Sequence, residues 1–313
     1  MLAPIFGAKS LLIVIVSLLN CFTIPICLTN PLNIKNLSTF RFCYYFNLIF
    51  IMEFSVYIDT HCHLDSKKYK ENLDTIITNA LNLGVQKIII PGADINDLPY
   101  AAQIAEKYSG VFFASGIHPT EIGDFDCNMQ AKIKDILSNP KCIAIGEIGL
   151  DYHYFDSNNC DDIKLAQERA FRYQIELAIS NNLPIIIHTR DSNDDVIRIL
   201  KDYESDIIGL VFHCFGGDKT LVNALSCPTY FGIGGVVSFK NAQSLRDCLQ
   251  ELPLESLILE TDAPYLAPMP HRGKINTPEY IPIIATHLGE TLCLDLEIIA
   301  TNTTNNALKL FKI

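Results

Sequence analysis

Between Val56 and Phe311 the apolar residues follow two alternating rhythms. Short unbroken runs of β-branched and aromatic residues are each followed by longer stretches whose apolar positions recur every three or four residues. The first rhythm is that of buried strands and the second that of amphipathic helices. The strand-like runs are 56–58, 87–90, 111–114, 142–145, 184–187, 208–212, 230–233 and 257–259. Between them, Leu73, Ile76, Ile77, Ala80 and Leu81 form a helical stripe ended by Gly84, a residue suited to the left-handed turn after a helix. Asp94 is the expected cap of a helix running towards Tyr108. Ile133, Ile136 and Leu137 belong to another helix, and a long one spans roughly 162–180 with Ala166, Ala170, Tyr173 and Leu177 inward. Two helices, 280–288 and 295–311, close the chain.

Strands this apolar, each followed by a helix, indicate a parallel sheet covered on its faces. Eight such repeats in about 250 residues predict an α/β fold, a single-domain (β/α)8 TIM-type barrel. An open doubly wound sheet is the alternative, but no Gly-x-Gly-x-x-Gly turn opens its first helix.

The first 51 residues do not share this rhythm. They contain Lys9, Lys35 and Arg41 and no acidic residue. Leu11 to Leu19 is an apolar run interrupted only by Ser17, long enough for a signal-peptide core and short of a membrane span. No small-x-small cleavage site follows it, and Asn20 before Cys21 fits a lipoprotein signal poorly. A second, aromatic-rich patch runs from Phe40 to Ile51 and abuts Met52. The favoured expectation is that Met52 is the true start and that 1–51 lies outside the fold; a signal, an anchor or a lineage-specific extension are the alternatives. Membrane association is expected only if residues 1–51 are translated.

The chain of 313 residues is 49% apolar and 19% charged, a globular composition. From Met52 onward it carries 21 basic against 35 acidic groups, a net charge of −14. That argues against broad binding along a nucleic-acid backbone. It leaves room for an enzyme acting at a strand end, where bound metal ions supply positive charge. The 11 cysteines are scattered without CxxC pairs, so reduced thiols and a cytoplasmic location are expected. No stable protein partner is implied.

The chemistry lies at the ends of the predicted strands. Asp59-Thr60-His61-Cys62-His63 follows the first, and in extended backbone His61 and His63 face the same way while Cys62 faces the other. A lone His-x-His is often only a surface pair beside a turn. Here His118 follows the third strand, Glu147 the fourth, His188 the fifth, His213 the sixth and Asp262 the eighth. Five of the eight histidines thus fall at strand ends that a barrel gathers around one mouth. Imidazoles with carboxylates and no thiolate suit Zn²⁺, Mn²⁺, Fe²⁺ or, with more water, Mg²⁺. Six ligands, all of these residues but His118, exceed one ion with an open position and match two ions bridged by a carboxylate and a water. Gly146, Gly149, Gly234 and Gly235 are expected in tight turns at that mouth, and Lys67 to Lys70 in a solvated helix start.

The segments D-T-H-C-H-L-D, G-I-H-P, G-E-I-G-L-D-Y, I-H-T-R-D, F-H-C-F and E-T-D-A-P-Y-L, with P-H-R-G-K-x-N-x-P after them, occur in order from Met52 to the C-terminus. Together they resemble the TatD family of metal-dependent deoxyribonucleases, within the amidohydrolase-like barrels. The resemblance implies one ion held by His61, His63, Glu147 and Asp262, and a second held by Glu147 with His188 and His213. It implies that Asp262 steers or deprotonates the attacking water and that His118 contacts the scissile phosphate or its leaving oxygen. Arg272, through paired donors, and Arg190, as support behind the ligands or against substrate, are the expected cationic contacts. Two departures stand out: Thr120 where a second histidine is common after His-Pro, and His153 where an aromatic is frequent.

The resemblance implies a two-metal enzyme (Mg²⁺, Mn²⁺ or Zn²⁺) that hydrolyses phosphodiester bonds at DNA ends. Two other readings use the same barrel: an amide or ester hydrolase, such as an aminoacyl-tRNA deacylase, and a non-enzymatic protein in which metal is a structural clip. Cations at the mouth favour phosphate and an apolar pocket an acyl group; Arg272 and Lys274 tilt the expectation to phosphate.

Overall fold

The computed structural model describes residues 55–123, 125–153 and 160–313, with backbone alone at Cys160. They belong to one compact unit, Phe54–Ile313. The start-site expectation falls on residues 1–54, outside those described.

Eight strands form one parallel sheet in sequence order: β1 (Tyr57–Asp59), β2 (Val85–Ile90), β3 (Val111–Ser115), β4 (Cys142–Asp151), β5 (Ile185–Arg190), β6 (Leu210–Phe212), β7 (Thr229–Ile233) and β8 (Leu257–Leu259). The helices are α1 (Leu73–Asn82), α2 (Leu98–Lys107), α3 (Cys127–Ile136), α4 (Cys160–Asn181), α5 (Asn193–Lys201), α6 (Gln243–Leu249), α7 (Ile281–Leu292) and α8 (Leu296–Phe311). This is the expected (β/α)8 barrel.

The seam between β8 and β1 is drawn shut by polar groups. Thr60 N–H and its hydroxyl both donate to Leu259 O, at 3.1 and 2.9 Å. The buried Asp59 carboxylate accepts from Thr261 N–H at 2.9 Å and from the Thr261 hydroxyl at 2.6 Å. Asp262 N–H donates to His61 O and His63 N–H to Ala263 O, each at 2.8 Å. The two chain segments that carry His61, His63 and Asp262 are therefore stitched to one another.

One buried cluster contains Ile58, Ile89, Ala114, Ala144, Ile186, Val211, Tyr230 and Ile258, one residue from each strand. It is the barrel interior. Ala307, Leu310 and Phe311 of α8 pack into the same cluster, so α8 covers the N-terminal end of the barrel. The larger cluster lies between the strands and the helices around them and includes Cys62, Phe113, Phe171 and Phe212.

Three expectations need correction. Asp94 does not cap α2: its carboxylate accepts from Asn96 N–H at 2.8 Å in a local turn, and α2 follows Asp97 with proline in its first turn. Proline lacks the N–H that would be unpaired there. The alternation is not complete either, because β6 and β7 are joined without a helix. Gly146 and Gly149 lie inside β4, not in turns after it, with φ of +157° and +147°. Gly234, by contrast, is extended backbone that leads into a short 3-10 helix, Gly235–Ser238.

No helix among the described residues is long and apolar enough to cross a membrane. Cys62, Cys142, Cys227 and Cys248 are free and buried.

Candidate metal centre

Glu147 is the hub, and β4 is built to aim it. Register runs Ile145↔Ile185 and then Ile148↔Ile187, so β4 holds one residue more than β5 over this interval. Such a bulge re-aims a side chain. The two strands approach so closely that a Cβ on Gly149 would sit 1.9 Å from His188 O, and one on Gly146 would sit 2.5 Å from Ile186 Cβ. Only glycine fits at these two places. From the other side, Gly92 N–H donates to Gly146 O and Glu147 N–H to Gly92 O, both at 2.7 Å.

The two carboxylate oxygens of Glu147 face different partners. His61 Nε2 lies 3.3 Å and His63 Nε2 4.0 Å from Oε2. His213 Nε2 lies 2.7 Å, His188 Nδ1 2.8 Å and His118 Nε2 3.6 Å from Oε1. Asp262 Oδ1 completes the first side, 3.8 Å from His61 Nε2 and 3.6 Å from His63 Nε2. Asp262 has φ of +53°, a left-handed conformation, where the chain turns sharply out of β8. The donor atoms form three overlapping groups, each within 4.8 Å: His61, His63, Asp262; His61, Glu147, His213; and His118, Glu147, His188. Every expected ligand is thus gathered in one place.

Two observations show that this donor set fits metal ions. His61 Nε2, which faces Glu147 and Asp262, is buried without a hydrogen-bond partner, an arrangement polar atoms avoid unless something binds there. The chemistry is also consistent: nitrogen and carboxylate donors with no thiolate. Burial resists ionising Glu147, yet the histidines around it hold its carboxyl well below the ordinary range. Burial likewise opposes the charge on His213, but Glu147 holds it up at about 10. His63 and His188 are raised against the pull of burial, by Asp262 and by Asp151 with Glu147 respectively. Asp262 is kept low despite its burial, by the neighbouring His63 first and by the charges of His61 and His213.

His118 differs. Burial and the neighbouring histidines push it down to about 4, against the pull of Glu147, so its ring is neutral at pH 7. Thr120 N–H donates to His118 Nδ1 at 3.2 Å, and the Thr120 hydroxyl lies 2.7 Å from the same atom. With Nδ1 accepting, the ring proton belongs on Nε2, which faces Glu147. The departure at Thr120 therefore touches the site through His118. The other departure, His153, is exposed and lies 2.8 Å from Asp191 Oδ2.

Arg190 ends β5 with an exposed side chain. Arg272 is also exposed, its guanidinium 4.4 Å from the Phe239 ring centre.

Four residues escaped the sequence reading. Asp151 Oδ2 lies 3.1 Å from His188 Nε2 and fixes that ring from behind. Glu260, wholly buried, accepts from Cys214 N–H at 2.6 Å and reaches within 3.8 Å of His213 Nδ1. It fills the space left by Gly232, whose Cβ would meet it at 2.0 Å. Gln174 accepts from Ile117 N–H at 2.8 Å beside His118. Asn276 donates to Thr261 O and Tyr265 O, at 2.8 and 2.6 Å, and its own carbonyl accepts from the Tyr69 hydroxyl at 2.5 Å. Asp151, Glu260 and Asn276 each stand inside a motif already noted, which was the available signal; nothing local marked Gln174.

A parallel barrel with histidines and carboxylates converging at the C-terminal ends of its strands defines a metal-dependent hydrolase. The family described as "TatD related DNase" matches residues 58–312. A Bacillus subtilis protein named uncharacterized metal-dependent hydrolase YabD is 38% identical over 256 residues, covering 82% of this chain and 98% of its own. An Escherichia coli K12 protein, YcfH, with the same description, is 32% identical over 261 residues, covering 82% of this chain and 96% of its own. The solved structure of YJJV, a TatD homolog from Escherichia coli K12, matches with a TM-score of 0.75 at 30% identity, over 82% of this chain and 98% of that one. The chain belongs to the TatD family of metal-dependent hydrolases.

Proposed function

We propose that this hydrolase is a deoxyribonuclease that uses two divalent ions to cleave phosphodiester bonds at DNA ends. The observation that carries the reading is the division of donors across Glu147: His61, His63 and Asp262 gather towards Oε2, His188 and His213 towards Oε1. A carboxylate shared in this way suits a pair of ions, one held by each set with Glu147 common to both. Bound there, divalent ions supply Lewis acidity to a phosphate oxygen and lower the pKa of a water to near neutrality.

The side chains do the rest. Asp262 is ionised and partly open to the mouth, placed to take the proton that the attacking water releases. Neutral His118 offers its Nε2–H to an oxygen of the scissile phosphate. Asp151 holds His188 in orientation from behind, and the buried Glu260 stands behind His213. Support for a phosphate substrate comes from the family description and from the exposed Lys67, Lys68, Lys70, Arg272 and Lys274 in the loops after β1 and β8.

The test is incubation of the protein with end-labelled single- and double-stranded DNA, with Mg²⁺, Mn²⁺ and Zn²⁺ in turn. Cleavage that depends on added ion is expected. Asp262→Asn is expected to lower the rate by about 10²–10⁴-fold, the scale of a lost general base, with an unchanged circular-dichroism spectrum. A fully active Asp262→Asn protein overturns the mechanism.

A further inference from the structure

Beside the metal centre, one aromatic ring is open to water. Tyr265, three residues beyond Asp262, is 54% exposed, while Tyr69 beneath the same loop is 1% exposed and hydrogen-bonded. Leu266 and Ile275 beside it are also exposed, at 38% and 52%. The ring stands over the site: its centre is 6.1 Å from that of His63, edge to face at 79°. The ammonium of Lys68 lies 5.0 Å from the Tyr265 ring centre.

The backbone that presents the ring is fixed. Tyr265 N–H donates to Asp262 O at 2.8 Å, and Tyr265 O accepts from buried Asn276 at 2.6 Å. Through Asn276 O, the Tyr69 hydroxyl ties this loop to the loop after β1, which carries Lys67, Lys68 and Lys70. A rigid platform that shows an aromatic face to water, with cations beside it, is the combination that binds nucleotides without reading their sequence. Every base has a face to stack, and every linkage has a charge to pair.

We infer that Tyr265 seats a nucleobase flanking the scissile phosphate, while Lys68 leaves the ring to meet an adjacent phosphate. The inference rests on the reading of this chain as a nuclease and adds to it a base contact, where the metal centre itself touches only phosphate. A lysine on a flexible stem exchanges an aromatic face for a phosphate readily. The seat lies against the Asp262 side of the centre, where it holds the strand beside the donors.

The test compares the full chain with Tyr265→Ala and Tyr265→Trp in the presence of Mn²⁺. The probes are single-stranded oligonucleotides, intact or with the base removed from the first or last nucleotide. Tyr265→Ala is expected to lower kcat/KM on the intact strand about 10-fold, chiefly through KM, on the scale of one lost stacking contact. On one of the two abasic strands, Tyr265→Ala and the unaltered chain should agree within about twofold, because the partner of the ring is already gone. Tyr265→Trp should retain cleavage of the intact strand. An equal loss on intact and both abasic strands, or no loss at all, overturns the inference while leaving the nuclease reading intact. If the unaltered chain cleaves no oligonucleotide with any divalent ion, both fall together.

Discussion

At the scale of single residues, protons and metal ions compete for the same atoms. His63, His188 and His213 are all raised above the ordinary histidine value, His213 to about 10, although burial opposes each of them. A group whose folded value is raised contributes stability that is full below its unfolded value, about 6.5. That contribution is lost as pH rises through the folded value. Without bound metal, the His213–Glu147 pair should thus steady the fold at pH 6 and cease to do so above about pH 10. Since ligation needs neutral imidazole, binding of Zn²⁺ near pH 7 should release on the order of one proton, and affinity should climb as pH rises. Calorimetric titration in two buffers of different ionisation enthalpy measures this directly; equal heats in both would contradict the assignment. The residues behind the ligands belong to the same scale. Asp151 and Glu260 were visible in the sequence only as letters within motifs, because a carboxylate that orients a histidine looks no different from one that binds an ion until the distance is known.

At the scale of elements, the decisive one is β4. Its pattern reads as a strand that stops at Ile145, because glycine weakens strand propensity. It continues to Asp151 because two of those glycines admit β5 at a distance no side chain tolerates. The bulge that results turns Glu147 into the barrel mouth between His61 and His213. Gly149→Ala combines a φ of +147° with a Cβ 1.9 Å from His188 O. It is expected to destabilise the protein by about 3 kcal/mol or more and to displace His188. Urea unfolding followed by circular dichroism checks the first effect. A variant as stable as the original would show that β4 and β5 are not held this closely. The helices were easier to read, since their stripes lie within a few residues of one another. Their starts were not: the turn at Asp94 and the true entry at Asp97 differ only in what the backbone does next.

At the scale of the whole molecule, ions would bind across five strands at once. Their ligands sit on β4 and β5 and just beyond β1, β6 and β8, so occupancy ties together segments some 200 residues apart in sequence, from His61 to Asp262. A divalent ion at about 100 times its dissociation constant should stabilise the fold by about 2.7 kcal/mol. In a domain of this size that raises Tm by roughly 5–10 °C, and EDTA should reverse the shift; scanning calorimetry with and without metal decides it. The chain alone determined a good deal: the alternation of buried runs and amphipathic stripes specified a parallel barrel, and the placement of histidine, glutamate and aspartate at strand ends specified which residues meet. Tertiary structure decided how they meet. The division of donors between the two oxygens of Glu147, the covering of one barrel end by α8 and the exposure of Tyr265 beside His63 follow from register, bulge and close approach between strands distant in sequence. Local periodicity reports which face of an element is buried, but it carries no measure of the distance across a barrel, and the chemistry of this site is set by that distance.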